Sequence, residues 1–275
     1  MSLSENVLRV SVAGLVAACL AVPTGTAMRA AAAGFDARYA VQATGIEIGQ
    51  AALSLESMAE GLRTRFVFES GAMLGLVQPS LTRMDGIARV RAAEVKPRSF
   101  EATYSREDRI RDIGIRYGAD GEIASFALTK GGRVRVSRVP DGLGSGTVDP
   151  LAAILRARAW LGQAVEGDEL DLKVFTGRKR YDAHVRYLGS TQITQRGDSK
   201  AAHRVALQYR VAQELDEDTG KLVPERGGAQ REIEIVVSAD GRYLPLRASG
   251  SFDGWPLTAE LLEECEAPPG CATPH

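Results

Sequence analysis

Hydrophobic and polar residues alternate with a period of two along much of this chain. The alternation is clearest over residues 204–211, where apolar residues occupy the odd positions and mostly polar residues the even ones. Similar runs occupy residues 62–68, 133–136 and 232–237. Because successive side chains of a strand point to opposite faces, such runs place one face on a core and the other in water. The pattern therefore predicts a mainly β protein built from antiparallel strands.

Short turn sequences separate these runs. Asp120-Gly121, Gly131-Gly132 and Asp240-Gly241 each lie between alternating segments, and Thr176-Gly177 precedes another. These dipeptides tolerate the positive φ angles of tight hairpin turns. Many short strands joined in this way predict an antiparallel meander that forms an open or partly closed curved β-barrel.

One segment has the periodicity of a helix. Asp149 and Pro150 suit the N-cap and first turn, and Gly162 can end the helix. Four apolar residues then fall on one face at helical spacing, namely Leu151, Ile154, Leu155 and Leu161. The sequence therefore predicts one central helix over about residues 149–162, packed into the concave side of the sheet or plugging one end of the barrel.

Arg158 lies on the apolar face of this predicted helix. A charged side chain in that position must reach water with its tip or pair with a buried carboxylate. Asp171 and Asp182, near the following hairpin, are the candidate partners. We interpret such a pair as part of the architecture and not as catalytic.

The N-terminus contains an almost unbroken apolar run, Val10–Val22. Its length suits a signal peptide and is too short to span a bilayer. Small residues then offer cleavage after Ala27 or within Ala30–Ala33. Residues 1–32 are therefore predicted to be a signal peptide that directs the protein to the periplasm. The alternative is a buried N-terminal helix.

The three cysteines leave two questions open. Cys19 follows small residues as in lipoprotein precursors, which allows lipid attachment there, although the apolar run continues past it. Cys265 and Cys271 are either a disulfide that closes a small loop in an oxidising compartment or two free thiols. They lie in a predicted C-terminal tail, residues 263–275, which follows a single β-rich domain at residues 33–262.

Composition narrows the range of partners. The chain has 275 residues, 44% of them hydrophobic and 25% charged, with a formal net charge of -1. The length permits a single all-β domain. The near-neutral charge gives no electrostatic reason to expect nucleic acid or an anionic membrane surface as a partner. No transmembrane segment is predicted in the mature chain, because no other apolar run is long enough.

The sequence shows no recognisable catalytic or metal-binding pattern. The histidines, His184, His203 and His275, lack the spacing of metal ligands, and no Cys-x-x-Cys pair occurs. Residues 142–146 lack the frame of a nucleophile elbow and the lysine of a P-loop. We therefore predict a non-enzymatic protein without catalytic residues, metal or cofactor. A hydrolase would require His203, which is predicted to point inward, to face a pocket beside a serine or an aspartate.

Three stretches of the chain resemble the exported bacterial proteins grouped as domain of unknown function 3108. They are the opening strand Tyr39–Gly49, the segment from Asp149-Pro150-Leu151 to Leu161, and the hairpin Val174–Asp182. The apolar glycine-rich stretch Gly71–Gly75 with Leu76 is also similar. The resemblance implies a periplasmic curved β-sheet scaffold, similar in outline to open barrels that carry lipids or lipoproteins between envelope membranes. It implies no catalytic residues. The family's cysteine before the hairpin is absent, so its cross-link cannot be carried over.

Two apolar segments are candidates for ligand binding. Met73, Leu74, Leu76 and Val77 form either a mobile loop at the barrel mouth or a buried edge strand or corner. Leu151, Ile154, Leu155 and Arg158 of the helix would face the space inside the sheet. The basic run Arg178-Lys179-Arg180 could bind a phosphate or a lipid headgroup, or be a solvated turn.

These features lead to two hypotheses about function. The first is a periplasmic, non-enzymatic scaffold that binds an apolar ligand, such as a lipid or the lipid part of an envelope component. The alternative is a structural or protein-interaction module of the cell envelope, with a filled core and no small ligand, whose exposed strand edge docks an envelope protein.

Overall fold

The computed structural model describes residues 34–71, 79–91, 94–106, 109–225, 229–252 and 254–265. The predicted signal peptide, Cys19, the apolar residues Met73, Leu74, Leu76 and Val77, and Cys271 therefore lie outside the described residues. The described part contains sixteen strands and one helix.

The first eight strands precede the helix. They are β1 (Phe35–Ala43), β2 (Ile46–Met58), β3 (Gly61–Ser70), β4 (Ser80–Arg91), β5 (Glu94–Arg106), β6 (Arg109–Tyr117), β7 (Ile123–Lys130) and β8 (Arg133–Val136). The short β9 (Thr147–Val148) leads into the helix α1 (Pro150–Leu161). The strands that follow are β10 (Glu169–Phe175), β11 (Lys179–Gln195), β12 (Asp198–Asp216), β13 (Lys221–Pro224), β14 (Arg231–Ser238), β15 (Pro245–Phe252) and β16 (Trp255–Cys265).

All sixteen strands belong to one sheet. Its order is β8-β7-β6-β5-β4-β3-β2-β1-β16-β15-β14-β12-β11-β10-β9, with β13 paired to β12. The pairs are antiparallel except β9 with β10. Strand β16 pairs with β1 and continues to Cys265, three residues past the predicted domain end at residue 262. Strands β8 and β9 lie at the two ends of this order, and no ladder between the described strands joins them. A single bridge, between Asp141 and Lys221, links the segment after β8 to β13. The predicted open, curved antiparallel meander is confirmed.

The alternation in the sequence corresponds to the two faces of the sheet. In β12, Val205, Leu207 and Tyr209 are buried, whereas Arg204 and Arg210 are exposed. In β3, Thr64, Phe66 and Phe68 point inward in the same way. Buried residues from strands all around the sheet join in one hydrophobic core. The core therefore lies on the concave side, as the period of two requires.

The helix occupies the concave side of the sheet. Nine of its twelve residues are buried, and it contacts β4, β5 and β10. Leu151 packs where Gly86 of β4 has no side chain, which lets the helix approach that strand closely. A helix that is buried nearly all round belongs inside a domain and not on its surface. The predicted central helix at about residues 149–162 is therefore confirmed.

The start of α1 is anchored by a buried carboxylate. Asp149 is the N-cap, and its Oδ1 accepts a hydrogen bond from the Ala152 N–H at 2.9 Å. The Tyr117 hydroxyl donates to Asp149 Oδ2 at 2.8 Å. Burial outweighs these hydrogen bonds and raises the pKa of Asp149 to about 6. The N-terminus of the helix is thus held against the end of β6.

Side chains bridge the seam between the two edges of the sheet. Phe126 of β7 packs against Phe175 of β10, with ring centroids 5.4 Å apart. Next to them Gly177, at φ 87°, lies against the side chain of Ile113 of β6. A Cβ at residue 177 would overlap Ile113, so the glycine serves both the tight turn and this contact. Aromatic and aliphatic packing therefore joins β6 and β7 to β10 and the turn that follows it, although the strand order of the described residues gives these strands no shared ladder.

Candidate ligand site

An apolar cavity of about 110 Å³ lies on the concave side of the sheet, between the wall formed by β1–β3 and the wall formed by β12 and β14–β16. Residues from seven strands line it, namely β1, β2, β3, β12, β14, β15 and β16. Its larger lining side chains are aromatic or aliphatic: Tyr39, Val41, Leu53, Phe66, Phe68, Tyr209, Ile233, Phe252 and Leu257. They meet there because each occupies an inward-facing position of its strand.

The space arises from a mismatch in side-chain size between facing walls. On one wall, Phe66 and Phe68 of β3 project inward. On the other, Ala248 of β15 pairs across the sheet with Ala259 of β16, and Gly250 follows on the same face. Small residues at these positions cannot reach the aromatic rings. The cavity therefore exists because large residues on one wall face small residues on the other, and these residues are far apart in the sequence.

The size of the cavity restricts what it could hold in this conformation. A cavity of about 150 Å³ accommodates benzene, so 110 Å³ corresponds by proportion to about four carbon atoms. Sites for drug-sized ligands measure roughly 300–1,000 Å³. The cavity therefore has room for a short alkyl segment, and any longer ligand must extend beyond it.

One end of the cavity lies near the turns β1–β2 and β15–β16. Phe252 and Leu257, which flank the β15–β16 turn, belong to the lining. The Thr44 N–H donates to the Pro256 carbonyl at 2.9 Å and joins the two turns. Trp255 is 52% exposed and Ile46 is 46% exposed at this rim. Large apolar side chains thus face solvent beside the cavity.

A guanidinium group lies at the same end. Arg231, the first residue of β14, places its Cζ 3.8 Å from the centroid of the Phe252 ring. Arg231 pairs across the sheet with Tyr209, another lining residue. Arg231 is not among the residues that the sequence predicted to bind a ligand. Its parity with Ile233 and Ile235 was a usable signal, because it marks an inward-facing position at the start of a strand.

The helix residues predicted to bind ligand lie in the core, away from this cavity. Leu151, Ile154 and Leu155 are buried and absent from the lining. Arg158 is only 3% exposed, and its Cζ lies 5.8 Å from the centroid of the Phe35 ring. The other predicted ligand residues, Met73, Leu74, Leu76 and Val77, lie outside the described residues.

The carboxylates predicted to pair with Arg158 lie on the other face of the sheet. Asp171, whose side chain is 89% exposed, contacts Nδ1 of His184 at 2.8 Å. Asp182 forms ion pairs with Arg180 and Arg210, and it alternates with the inward-facing residues of β11. These outward positions separate both carboxylates from the concave side, where Arg158 is buried.

The basic run at the β10–β11 hairpin belongs to a network of ion pairs. Nη2 of Arg178 lies 3.3 Å from Oε1 of Glu214, and Nε of Arg178 lies 3.6 Å from Oε1 of Glu217. Glu217 also forms ion pairs with two basic residues of neighbouring strands. Its Oε1 lies 3.8 Å from Nη2 of Arg111 of β6, and its Oε2 lies 3.5 Å from Nζ of Lys130 of β7. The run is therefore not a solvated turn. It links the β10–β12 region to β6 and β7 across the seam of the sheet.

His203 is held between two tyrosines outside the cavity. Its Nδ1 lies 2.8 Å from the Tyr187 hydroxyl, and its ring stacks on Tyr243 at 5.7 Å. Burial lowers the pKa of His203, so the neutral imidazole is favoured in this setting. The Tyr187 hydroxyl is also 3.5 Å from the hydroxyl of Ser190, an exposed residue.

Two further observations concern the described residues as a whole. Among the described residues, His, Cys, Asp and Glu side chains do not form any group of three or more that could bind a metal ion. None of the helices in this part of the chain has both the length and the apolar character of a membrane span.

Comparison with solved structures shows that the chain has a β-barrel-like fold. The structure is similar to a β-barrel-like protein of domain of unknown function DUF1849 from Brucella abortus, with a TM-score of 0.50 and 9% identity. That match covers 85% of this chain and 97% of the other. The hypothetical lipoprotein YmcC from Escherichia coli matches at TM-score 0.34 and 7% identity, covering 86% of this chain and 88% of the other. At that score it adds nothing to the fold assignment.

A comparison of the sequence with family models identifies the family of the chain. Residues 35–260 match the family Protein of unknown function (DUF3108), and the chain belongs to it. This confirms the resemblance inferred from the three stretches. No curated protein matches the chain.

Proposed function

We propose that this protein is a non-enzymatic binding protein of the bacterial periplasm that holds an apolar ligand inside its curved sheet. The ligand class is a lipid, or the lipid part of an envelope component. The observation that carries the proposal is the apolar cavity between the aromatic wall of β3 and the small residues of β15 and β16. Export is supported by the apolar run Val10–Val22 in the sequence.

Burial energies set the affinity that the cavity alone can provide. Each buried methylene contributes about 0.8 kcal/mol, so four carbon atoms contribute about 3 kcal/mol. A dissociation constant of 1 mM corresponds to about 4 kcal/mol. Tight binding therefore needs further contacts at the rim, where Trp255 and Ile46 are exposed.

A cavity-filling variant tests the proposal. Ala259→Leu places a larger side chain in the cavity, whereas Ala127→Leu makes the same change at an exposed site on β7. Protein purified from the periplasm would be extracted with organic solvent, and the extract analysed by mass spectrometry. We expect a lipid in the wild type and in Ala127→Leu, and several-fold less in Ala259→Leu. Wild-type protein without any extractable apolar compound would refute ligand binding.

The location is tested separately. Cell fractionation should recover the chain in the periplasmic fraction, and its intact mass should show loss of residues up to the region 27–33. A cytoplasmic chain that retains residues 10–22 would refute export.

The second candidate is a structural or protein-interaction module of the envelope. It is favoured by the helix, which is buried on the concave side against β4, β5 and β10, and by the small size of the cavity. In that case the extracts of all three proteins should contain no lipid, and crosslinking in the periplasm should recover one dominant protein partner.

A further inference from the structure

Two adjoining turns at one end of the sheet carry exposed apolar side chains. Ile46, the first residue of β2, is 46% exposed, and Trp255, the first residue of β16, is 52% exposed. Trp255 is the only aromatic residue among the exposed large apolar residues of the part of the chain that the structure describes. The hydrogen bond from the Thr44 N–H to the Pro256 carbonyl ties the two turns together. We call Ile46, Trp255 and the exposed Pro256 the apolar tip.

Both turns of the apolar tip project into open space. Gly45 and Gly254 adopt φ angles of 79° and 83°, which suit tight turns. A Cβ placed on either glycine would meet no described atom within 4 Å beyond its neighbours in the chain. The backbone of the two turns is therefore accessible to a large flat partner.

The strand ladders place the exposed side chains on the face of the sheet that lines the cavity. Trp255 pairs directly with Phe252, which belongs to the lining. Ile46 pairs with Ala43, and Ala43 pairs on its other side with Leu257, another lining residue. Side chains of directly opposite residues stand on the same face of a sheet. An apolar path therefore runs from the cavity to the apolar tip.

The charges of the two turns do not favour an anionic partner. Positions 43–47 and 252–258 contain no basic residue, and their charged residues in the sequence are Glu47 and Asp253. The nearby guanidinium of Arg231 lies over the ring of Phe252. Membrane surfaces rich in anionic lipid attract clusters of lysine and arginine, which these turns lack. The apolar tip therefore suits a surface without net charge.

The size of the apolar tip favours a membrane over a protein partner. Half of an aromatic side chain corresponds to roughly 100 Å², whereas a specific protein interface buries about 800 Å² on each partner. Insertion into lipid needs no such area, because each apolar group gains separately from leaving water. Tryptophan also suits the membrane–water interface, where its ring lies in an apolar layer and its N–H in a wet one.

We infer that the apolar tip docks on a lipid bilayer without net charge, with Trp255 and Ile46 inserted among the outermost parts of the acyl chains. In this position the apolar path leads from the cavity to the membrane. The inference goes beyond the proposed function, because it adds a membrane surface as a partner of this chain.

The first test measures binding of the purified protein to unilamellar phosphatidylcholine vesicles by co-sedimentation. The variants are Trp255→Ser and Ile46→Ser. The matched control is Met58→Ser, because Met58 is 37% exposed and lies at the opposite end of the same strand as Ile46. All proteins share one N-terminus, so its contribution cancels between variants. Circular dichroism and thermal unfolding would establish that each variant is folded.

The second test locates the inserted side chain. The chain contains two tryptophans, so Trp160→Phe leaves Trp255 as the only indole and Trp255→Phe leaves Trp160. Trp160 lies beside Glu94, which begins β5 at the end of the sheet opposite to the apolar tip. Phosphatidylcholine with brominated acyl chains quenches the fluorescence of an indole only at close range. It should quench Trp160→Phe strongly and Trp255→Phe little.

We expect the wild type and Met58→Ser to bind the vesicles with equal affinity. Trp255→Ser and Ile46→Ser should each bind at least fivefold more weakly, because each loses apolar surface that enters the lipid. Added phosphatidylglycerol or lower ionic strength should not strengthen binding, since the turns carry no basic residue. If Trp255→Ser or Ile46→Ser does not fold, quenching of Trp160→Phe by the brominated lipid decides the point.

Different failures separate this inference from the proposed function. Absence of vesicle binding, or quenching of Trp160 in place of Trp255, would refute docking through the apolar tip and leave ligand binding in the cavity intact. Binding that requires phosphatidylglycerol and is lost in salt would refute apolar insertion. A dimer in sedimentation velocity that Trp255→Ser converts to a monomer would show that the tip contacts a second copy of the chain and would also refute docking. Docking by protein that yields no extractable lipid would refute the proposed function alone.

Discussion

Tyr117 and Asp149 exchange two hydrogen bonds and thereby join the sheet to the helix. The Tyr117 hydroxyl donates to Asp149 Oδ2 at 2.8 Å, and the Asp149 backbone N–H donates to the same hydroxyl oxygen at 2.8 Å. Tyr117 ends β6, and Asp149 caps α1. A single hydroxyl therefore satisfies a buried carboxylate and a backbone donor at once, which fixes where the helix begins inside the sheet.

Tyr117→Phe should destabilise the protein. The substitution leaves a buried carboxylate oxygen and a backbone N–H without this partner, which costs about 1–3 kcal/mol. Urea unfolding followed by circular dichroism measures the change in the free energy of unfolding. The matched control is Tyr104→Phe, because the Tyr104 hydroxyl is buried and has no hydrogen-bond partner among the described residues. That control should change stability by less than about 0.5 kcal/mol, and an equal loss in both variants would contradict our assignment.

Asp149 should make stability depend on pH in an unusual direction. Burial raises the pKa of Asp149 to about 6, whereas an unfolded aspartate titrates near 4. Between these values the folded protein keeps a proton that the unfolded chain has released, so this group favours folding at low pH. Its contribution is complete below pH 4 and is lost as the pH rises through 6.

The variant Asp149→Asn isolates this effect, because asparagine is also a good N-cap and carries no charge. From pH 4 to pH 7 its free energy of unfolding should rise relative to the wild type by up to about 3 kcal/mol. Urea unfolding at intervals of one pH unit measures the difference between the two proteins, in which other titrating groups cancel. A difference that is constant or that declines toward pH 7 would show that the carboxylate stays charged in the fold.

Gly177→Ala should be more destabilising than the same change at another glycine of similar backbone conformation. Gly177 has φ 87° and Gly197 has φ 90°, but a Cβ would overlap Ile113 only at residue 177. The backbone strain should cost each variant about 1–3 kcal/mol. Crowding at Ile113 adds about 1–3 kcal/mol to Gly177→Ala alone.

Thermal and urea unfolding of both variants test this difference. Adding Ile113→Ala to Gly177→Ala should recover the crowding part and not the backbone part, so the two substitutions should be non-additive. Equal stability losses for Gly177→Ala and Gly197→Ala would mean that the hairpin at Gly177 is not in close contact with Ile113 of β6.

Glu217→Gln should weaken the seam between β6–β7 and the β10–β12 region. Its carboxylate lies within ion-pair distance of Arg111, Lys130 and Arg178, and its side chain is 20% exposed. Losing the charge should cost about 1–2 kcal/mol, because several partners form a network that is partly shielded from water. The control Glu101→Gln breaks an exposed pair with Arg116 and should cost less than about 0.5 kcal/mol.

The loss in Glu217→Gln should also shrink when salt is added, since screening weakens the wild-type network. Urea unfolding at low and high ionic strength measures this. Identical losses for Glu217→Gln and Glu101→Gln would indicate that aromatic packing alone, such as Phe126 on Phe175, holds the seam.

The sequence by itself determined the local features of this protein. The period of two predicted which residues of β3 and β12 face the core, and Asp149 with Pro150 predicted where the helix begins, because strand parity and helix capping depend on neighbouring residues. The stretches at Tyr39–Gly49, Asp149–Leu161 and Val174–Asp182 were sufficient to identify the family.

Only the tertiary structure decided which inward positions meet. The predicted ligand residues of the helix, such as Leu151 and Ile154, fill the core, while the cavity forms where Phe66 of β3 faces Ala248 and Ala259 of β15 and β16. Arg178 contacts a carboxylate network across the seam because strands distant in sequence converge there. Parity states whether a side chain points inward, but the order and curvature of sixteen strands set the distance to the opposite wall. The empty volume depends on that distance and on the sizes of both partners.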